Sequence, residues 1–290
     1  MSKVIISADS VSLNYKSAQE LGFTMIPCPI SLDGKIYLDN EIDMDRLYER
    51  LETKENLPKT STVNVEEFVK FFMGVGKETD AIAHISMSSV FSPQYNNALQ
   101  AKKILFEKQS NKNIEVFDSR SIGIGVHLTA IMASKMASEG KSLEEIGRIL
   151  GVVIPNIVSL AARDTLFYYD KGGRIFEAKA WAEAEEASSF RSIIEVDSST
   201  GGTVKPLARA KTVSQILDKL VETTKERAAG KTLFGAIGYT RGASDRADKL
   251  KSMLISQFDF ERLYISEESA SVAIHNGIGF IDYAFCVSIS

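Results

Sequence analysis

Short apolar runs alternate with amphipathic stretches in the first half of the chain. Residues 4–9, 81–87 and 114–118 are apolar runs, and the first and third end in aspartate followed by serine, which is typical of buried parallel strands. Helix signals lie between the runs: Asn64 stands three residues before Glu67, and Ser92-Pro93 opens another helical stretch. This order of elements predicts a doubly wound parallel sheet over residues 1–157.

A small β-hairpin is predicted inside this first unit. Residues 23–32 and 35–38 have strand-like composition and flank Asp33-Gly34, a dipeptide that favours a type I′ turn. We therefore expect an inserted hairpin near residues 23–38, between the first and second strands of the sheet.

The second half of the chain has a different order of elements. Strand-like runs stand at residues 157–160, 192–196, 233–239, 262–266 and 284–289, and two long helical stretches at 212–227 and 244–258. Strands with two helices on one side predict an α+β domain. We place it at residues 158–290.

Composition excludes several classes of protein. The net charge is −4 and the sequence pI is about 5.6, with no basic stripe for nucleic acid. Cys28 and Cys286 form no CxxC pair and are expected to be buried thiols. No signal peptide is predicted, and no apolar run reaches the roughly 18 residues of a membrane span. We expect a cytoplasmic protein with no metal and no cofactor.

Hydroxyl side chains follow the predicted strands of the first half. They occur in Asp9-Ser10-Val11-Ser12, Ser86-Met87-Ser88-Ser89, Asp118-Ser119-Arg120-Ser121 and the separate segment Thr60-Ser61-Thr62. The carboxyl ends of parallel strands meet at one sheet edge, where ligands of open α/β sheets bind. Hydroxyls and helix N-termini donate hydrogen bonds to anions. The pattern predicts an anion site, with capping and turn formation as the alternative for each residue taken alone.

The second half adds an arginine and a histidine. Gly172-Gly173-Arg174 is a tight turn that presents Arg174, and His275 stands in a glycine-rich segment expected to be a loop. Arginine binds carboxylates and phosphates, and histidine can exchange a proton near neutral pH. His84 and His127 lie in apolar segments and are expected in the core. No dinucleotide fingerprint or P-loop is present, and we predict no catalytic residue.

Taken together, these motifs resemble the DegV family over nearly the full length of the chain. The matching segments are Ser7-Ala8-Asp9-Ser10, Thr60-Ser61, Ser88-Ser89-Val90-Phe91-Ser92, Val116-Phe117-Asp118-Ser119, Lys171-Gly172-Gly173-Arg174, Gly201-Gly202-Thr203-Val204 and the late His275. The resemblance implies a long-chain fatty acid buried between two α/β domains, in a lipid-binding protein that is not itself an enzyme. In some members an ATP-binding kinase subunit phosphorylates the bound carboxylate.

The resemblance also implies roles for single residues. Thr60, Ser61 and Ser92 match the hydroxyls that hold the carboxylate, with Ser88 and Ser89 beside them. Arg174 and His275 match positions associated with the head group and its phosphorylation.

The chain departs from the family pattern at the helix start that follows Ser92. Pro93 replaces a glycine and removes one backbone N–H, which Gln94 can offset with its side-chain amide. Two alternatives therefore stay open: a phosphoryl-acceptor subunit of the dihydroxyacetone-kinase kind, and a diverged scaffold that takes another small acid.

Overall fold

The computed structural model describes residues 3–77, 79, 81–108, 113–173, 178–187, 190–228 and 230–289. Its strands are β1 (Val4–Asp9), β2 (Phe23–Ile26), β3 (Pro29–Leu32), β4 (Lys35–Leu38), β5 (Lys59–Thr60), β6 (Ala81–Ser86), β7 (Asn113–Asp118), β8 (Val158–Arg163), β9 (Arg191–Glu195), β10 (Lys205–Ala210), β11 (Leu233–Tyr239), β12 (Phe260–Glu267) and β13 (Ile281–Val287). Its helices are α1 (Tyr15–Glu20), α2 (Met44–Thr53), α3 (Val65–Val75), α4 (Gln94–Lys108), α5 (Ile124–Ser138), α6 (Leu143–Val153), α7 (Phe167–Lys171), α8 (Lys179–Ala187), α9 (Val213–Ala228), α10 (Ser244–Gln257) and α11 (Ala270–Asn276).

The first sheet is parallel and has the order β2-β1-β6-β7. Its central strands are apolar because helices cover both faces; α3 and α4 pack on one side, and α5 and α6 on the other. The chain runs outward in opposite directions from β1 and β6, so the sheet has its switch point between these two strands. Ligands of doubly wound folds bind beyond the carboxyl ends of the strands at this point.

The hairpin is shorter than its sequence suggests. Residues 23–32 do not form one strand: β2 pairs in parallel with β1, whereas β3 pairs with β4 and with β5 in a separate three-stranded sheet. Pro27 explains the division, because proline has no N–H for a ladder and interrupts a strand. Asp33 and Gly34 form the predicted turn, with φ of 50° and 76°.

The second sheet has the order β10-β9-β8-β13-β11-β12. It is mixed: β11 and β12 are parallel, and the other neighbours are antiparallel. Helices α9 and α10 cover one face through an apolar cluster that includes Leu217, Leu220 and Leu250. The predicted fold class, a parallel-sheet domain followed by an α+β domain, is confirmed. Strand β10 is not among the strands predicted from the sequence.

Helix α5 lies between the two sheets. Twelve of its residues are buried, and its neighbours include β1 of the first sheet and β13 of the second. A helix that is apolar on every side needs packing partners on every side, and the two sheets supply them. The first sheet uses strands up to Asp118 and the second begins at Val158. A division into residues 1–157 and 158–290 remains our proposal.

Candidate functional site

A cavity of about 90 Å³ lies between the carboxyl edge of the first sheet and the inner face of the second. This volume holds several water-sized groups, which is more than a packing defect leaves. Ser10 and Met87 come from the loops at the switch point, and Ala161 and Asp282 from the second sheet. Apolar side chains form much of the wall: Val11, Met87, Phe91, Ile122, Val272 and Phe280.

Thr60 and His275 lie at one side of this cavity and also line an open depression on the protein surface. The Thr60 hydroxyl and His275 Nε2 are 2.8 Å apart. Lys54, Lys59 and Lys171 line the same depression. The Thr60–His275 pair therefore separates the interior from the solvent, which is where a charged head group of a buried ligand would lie.

The prediction that His275 lies in a loop is wrong. His275 lies in the last turn of α11, and Gly277 follows with a φ of 74°. A Cβ at Gly277 would lie 2.1 Å from the Tyr168 ring, so only glycine fits this close approach. Helix α11 thereby holds the imidazole against β5 of the small sheet.

Ser61, Ser92 and Gln94 join the same wall of the cavity. The Ser61 N–H donates to the Pro29 carbonyl, which ties its loop to β3. The Ser92 hydroxyl accepts from the Gln94 N–H at 3.3 Å and caps α4. The Gln94 side chain accepts from the Val63 N–H at 3.4 Å and directs its NH₂ to the Met87 sulfur at 3.5 Å.

Ser88 and Ser89 do not line the cavity. The Ser88 hydroxyl donates to the Gly202 carbonyl at 2.8 Å, and the Ser89 hydroxyl donates to Asp118 at 2.5 Å. Both hydroxyls thus fix the loop that follows β6, and Ser88 links it to the second domain. Arg174, the remaining predicted residue, lies outside the described residues.

Asp9, at the end of β1, is the centre of a buried network. Its carboxylate accepts from His84 Nε2 at 3.2 Å, the Ser86 hydroxyl at 2.8 Å and the Met87 N–H at 2.9 Å. His84 Nδ1 lies 3.0 Å from the Ser7 hydroxyl. The order Ser7, His84, Asp9 is that of a nucleophile triad, but all three side chains are completely buried, so no substrate reaches Ser7.

His127 completes this network from α5. Its Nδ1 accepts from the Leu13 N–H at 3.0 Å, and its Nε2 donates to the Asp9 carbonyl at 2.8 Å. These partners require the neutral ring, and burial lowers the pKa of His127 to about 4. The expectation that His84 and His127 belong to the core is confirmed, as is that of two buried thiols, Cys28 and Cys286.

Sequence reasoning missed two charged residues of the cavity wall. Arg163 ends the apolar strand β8 and Asp282 interrupts the apolar strand β13, and both line the cavity while almost fully buried. A charge inside an apolar strand was the available signal. Burial raises the pKa of Asp282 to about 7, although the Ile124 N–H and the positive charge of Arg163 oppose the shift.

The fold and the site define a two-domain α/β protein with a partly apolar cavity between its sheets. The family model described as "Uncharacterised protein, DegV family" matches residues 3–287. The chain belongs to the DegV family.

Curated relatives and solved structures agree with this assignment. A DegV domain-containing protein of Streptococcus pyogenes serotype M1 is 25% identical over 280 residues, which is 96% of this chain and 95% of that protein. One from Caldanaerobacter subterraneus is 32% identical over 177 residues, which is 60% of this chain and 61% of that protein.

Two solved structures share the whole fold. A DegV family protein from Thermus thermophilus, described for its fatty acid binding, has a TM-score of 0.86 at 21% identity and covers 99% of this chain and 100% of its own. One from Eubacterium eligens, loaded with heptadecanoic acid, has a TM-score of 0.85 at 21% identity and covers 98% of this chain and 99% of its own. Within the part of our chain that the structure describes, every helix is too short or too polar to cross a membrane.

Proposed function

We propose that this protein binds one long-chain fatty acid and does not itself catalyse a reaction. The observation that carries the proposal is a cavity between two sheets whose wall combines apolar side chains with hydroxyl, amide and imidazole groups, two of which, Thr60 and His275, also line a surface depression. Two proteins with the same fold support the proposal. The DegV protein from Thermus thermophilus is described for fatty acid binding, and the one from Eubacterium eligens is loaded with heptadecanoic acid.

The apolar wall would supply most of the affinity. Burying an acyl chain is worth about 0.8 kcal/mol for each CH₂ group. A carboxylate at the opening then needs only enough donors to replace its water. A few neutral hydrogen bonds suffice, and neither a metal nor a cofactor is required.

Thr60, Ser61, Ser92, Gln94 and His275 are our candidates for the carboxylate. The Thr60 hydroxyl and His275 Nε2 form a hydrogen bond of 2.8 Å, in which one of them donates, so the other partner can donate to a bound carboxylate. Arg174 stays part of the proposal through its family position alone. We assign Ser88 and Ser89 a supporting role in the loop, since their hydroxyls are directed elsewhere.

Mass spectrometry of an organic extract tests the proposal directly. Protein purified from a bacterial host should release about one equivalent of fatty acid on denaturation, and the delipidated protein should rebind a long-chain fatty acid in calorimetry. Absence of both co-purified and rebound fatty acid would reject the function.

Single hydroxyl deletions test the head-group assignment. Ser92→Ala removes a hydroxyl on the cavity wall, and we expect about threefold to tenfold weaker binding, the effect of one neutral hydrogen bond. Ser89→Ala is the matched control because its hydroxyl contacts Asp118 instead. Equal affinities of the two variants would remove Ser92 from the carboxylate site.

A second candidate function is presentation of the bound carboxylate to an ATP-dependent kinase subunit. The specific observation in its favour is that Thr60 and His275 line both the cavity and the open depression, beside exposed Lys59 and Lys171. A partner seated on this depression would reach the carboxylate without opening the fold, and nearby lysines favour an incoming phosphate.

His275→Ala separates the two functions. If the imidazole serves phosphorylation, the variant should still bind fatty acid, at most about tenfold more weakly as for the loss of one hydrogen bond, and should lose acyl-phosphate formation with a fatty-acid kinase subunit and ATP. Equal acyl-phosphate formation by the variant and the unchanged protein would reject presentation through His275, while fatty-acid binding would stand.

A further inference from the structure

Two segments of the chain connect the first sheet with the second beside the cavity. We call residues 10–14, which follow β1, and residues 266–271, which run from the end of β12 into α11, the junction segments. They pair in an antiparallel bridge between Leu13 and Glu268. Two backbone hydrogen bonds flank this bridge, from the Ser269 N–H to the Ser12 carbonyl at 2.6 Å and from the Asn14 N–H to the Glu267 carbonyl at 3.2 Å.

The junction segments close one side of the cavity. Ser10 and Val11 line it from the first segment, and Ser271 and the adjacent Val272 line it from the second. The Ser271 hydroxyl donates to the Ser10 carbonyl at 2.6 Å. Separation of the two segments would therefore move these parts of the wall apart and open a path for a ligand.

Glu268 is enclosed between the junction segments and the second sheet. It is 1% exposed, and neither of its carboxyl oxygens has a hydrogen bond of normal geometry to any residue that the structure describes. A Cβ at Gly238 of β11 would lie 1.7 Å from the Glu268 carboxyl, so this carboxyl occupies the place of a side chain there. Gly238 is paired with Asp282 of β13. Side chains of paired residues stand on the same face, about 5 Å apart, so the Glu268 carboxyl lies beside that of Asp282.

Titratable groups reach this acid pair and the bridge from four elements. They are Asp282 on β13, Arg163 on β8, Tyr48 on α2 and His127 on α5. Burial and the charge of Asp282 raise the pKa of Glu268 well above its usual range, although the Ser12 hydroxyl opposes the shift. Glu268 is therefore protonated near neutral pH.

The packing at this place does not require an acid. A methionine or a glutamine would fill a similar volume, whereas a buried carboxyl is tolerated only while it keeps its proton. If the junction segments separate, water reaches the carboxyl and its pKa returns towards the usual range. Rising pH then favours the separated state, by about tenfold for each pH unit.

We propose that Glu268 is a pH-sensitive switch, whose ionisation in alkaline solution separates the junction segments and accelerates the exchange of a bound ligand. The proton passes to the solvent, and the carboxylate that remains repels Asp282, which is itself charged above about pH 7. The effect on the ligand rests on the proposed function, whereas the separation of the segments does not require a ligand.

Amide hydrogen exchange on the delipidated full-length protein tests the separation. The amides of Asn14 and Ser269 report it, because both bond across the junction. Their protection factors should fall about tenfold for each pH unit above 7, where Asp282 is already ionised in both states. This fall should disappear in Glu268→Gln, which cannot ionise.

Glu267→Gln is the matched control, because it makes the same change at the exposed neighbouring side chain. It should show the same fall in protection as the unchanged protein. Equal pH dependence in Glu268→Gln and Glu267→Gln would overturn the inference. Glu268→Met, which also lacks an ionisable group, replaces Glu268→Gln if that variant does not fold, and the same constant protection is expected.

Stopped-flow release of a fluorescent long-chain fatty acid tests the consequence for the ligand. The dissociation rate should rise over the same pH range in the unchanged protein and in Glu267→Gln, and should stay constant in Glu268→Gln. A rate that is independent of pH in all three proteins would overturn the inference, while fatty-acid binding would stand. If the probe does not bind at all, the proposed function fails, and amide exchange alone decides whether Glu268 controls the junction.

Discussion

Two sets of buried polar side chains lie on either side of the cavity, and they differ in how their hydrogen bonds are satisfied. In the Asp9 network, formed by Asp9, His84 and His127, the carboxylate and both imidazole rings each have partners at 3.2 Å or closer. In the Arg163 cluster, formed by Arg163, Asp282 and Glu268, the Glu268 carboxyl has no hydrogen bond of normal geometry to any described residue, and Arg163 and Asp282 line the cavity.

The difference distinguishes buried polar side chains that stabilise the fold from buried polar side chains that line the cavity. A closed network has no donor or acceptor left for a ligand, and it rigidifies the loops it joins. The Asp9 network accordingly fixes the start of the switch-point loop without reaching the cavity. Arg163 and Asp282, in contrast, lie on the cavity wall, where a bound ligand can contact them.

The largest expected effect comes from breaking the Asp9 network. Asp9→Ala leaves the Ser86 hydroxyl, the Met87 N–H and the His84 ring without their shared acceptor. We expect a loss of about 3–5 kcal/mol in the free energy of unfolding, measured by urea denaturation. Asp45→Ala, which removes an exposed partner of Arg241, is the control and should cost less than about 1 kcal/mol. Similar losses in the two variants would contradict the structural role of Asp9.

The next largest effect is the pH dependence of the unfolding free energy that His127 causes. Its pKa is about 4 in the folded protein and 6.5 when unperturbed, so the unfolded chain takes up a proton first as the pH falls. Stability should therefore decrease from pH 6.5 towards 4, by about 3 kcal/mol from this residue. His127→Gln retains a donor and an acceptor but does not titrate.

Urea denaturation across this pH range, compared between the unchanged protein and His127→Gln, isolates the contribution of the imidazole. The difference in unfolding free energy should shrink as the pH falls. A constant difference would show that His127 does not titrate on unfolding.

The smallest of the three effects is also a pH dependence of stability and is due to Asp282. Its sign is opposite to that of His127, because stability decreases as the pH rises. Burial raises the pKa of Asp282 from 3.8 to about 7, so the folded protein holds this proton more tightly than the unfolded chain. Its contribution to stability is present below the unperturbed pKa and is lost as the pH rises through about 7.

Asp282→Asn should make stability less dependent on pH between about 5 and 8, by about 2 kcal/mol, because asparagine does not ionise. Denaturation at both ends of the range measures it.

The parallel sheet and the order of elements could be predicted from the sequence because they rest on local patterns. Apolar runs that end in aspartate or serine mark β1, β6 and β7, and Asn64 with Glu67 forms the predicted capping box of α3. Thr60, Ser61 and Ser92, which line the cavity, were predicted as carboxylate ligands by the resemblance to the DegV family and not by the strand pattern.

Only the tertiary structure decided which of these polar residues face the cavity. Ser88 and Ser92 stand four positions apart in one loop, yet the first bonds to the second domain and the other lines the cavity. His275 was placed in a loop because glycines follow it, whereas packing against Tyr168 ends α11 there. The Arg163 cluster joins β8, β13 and the segment before α11, and no local pattern carries such long-range contacts. Sequence determines where chains can turn and which faces are apolar; long-range packing determines which polar groups line the cavity.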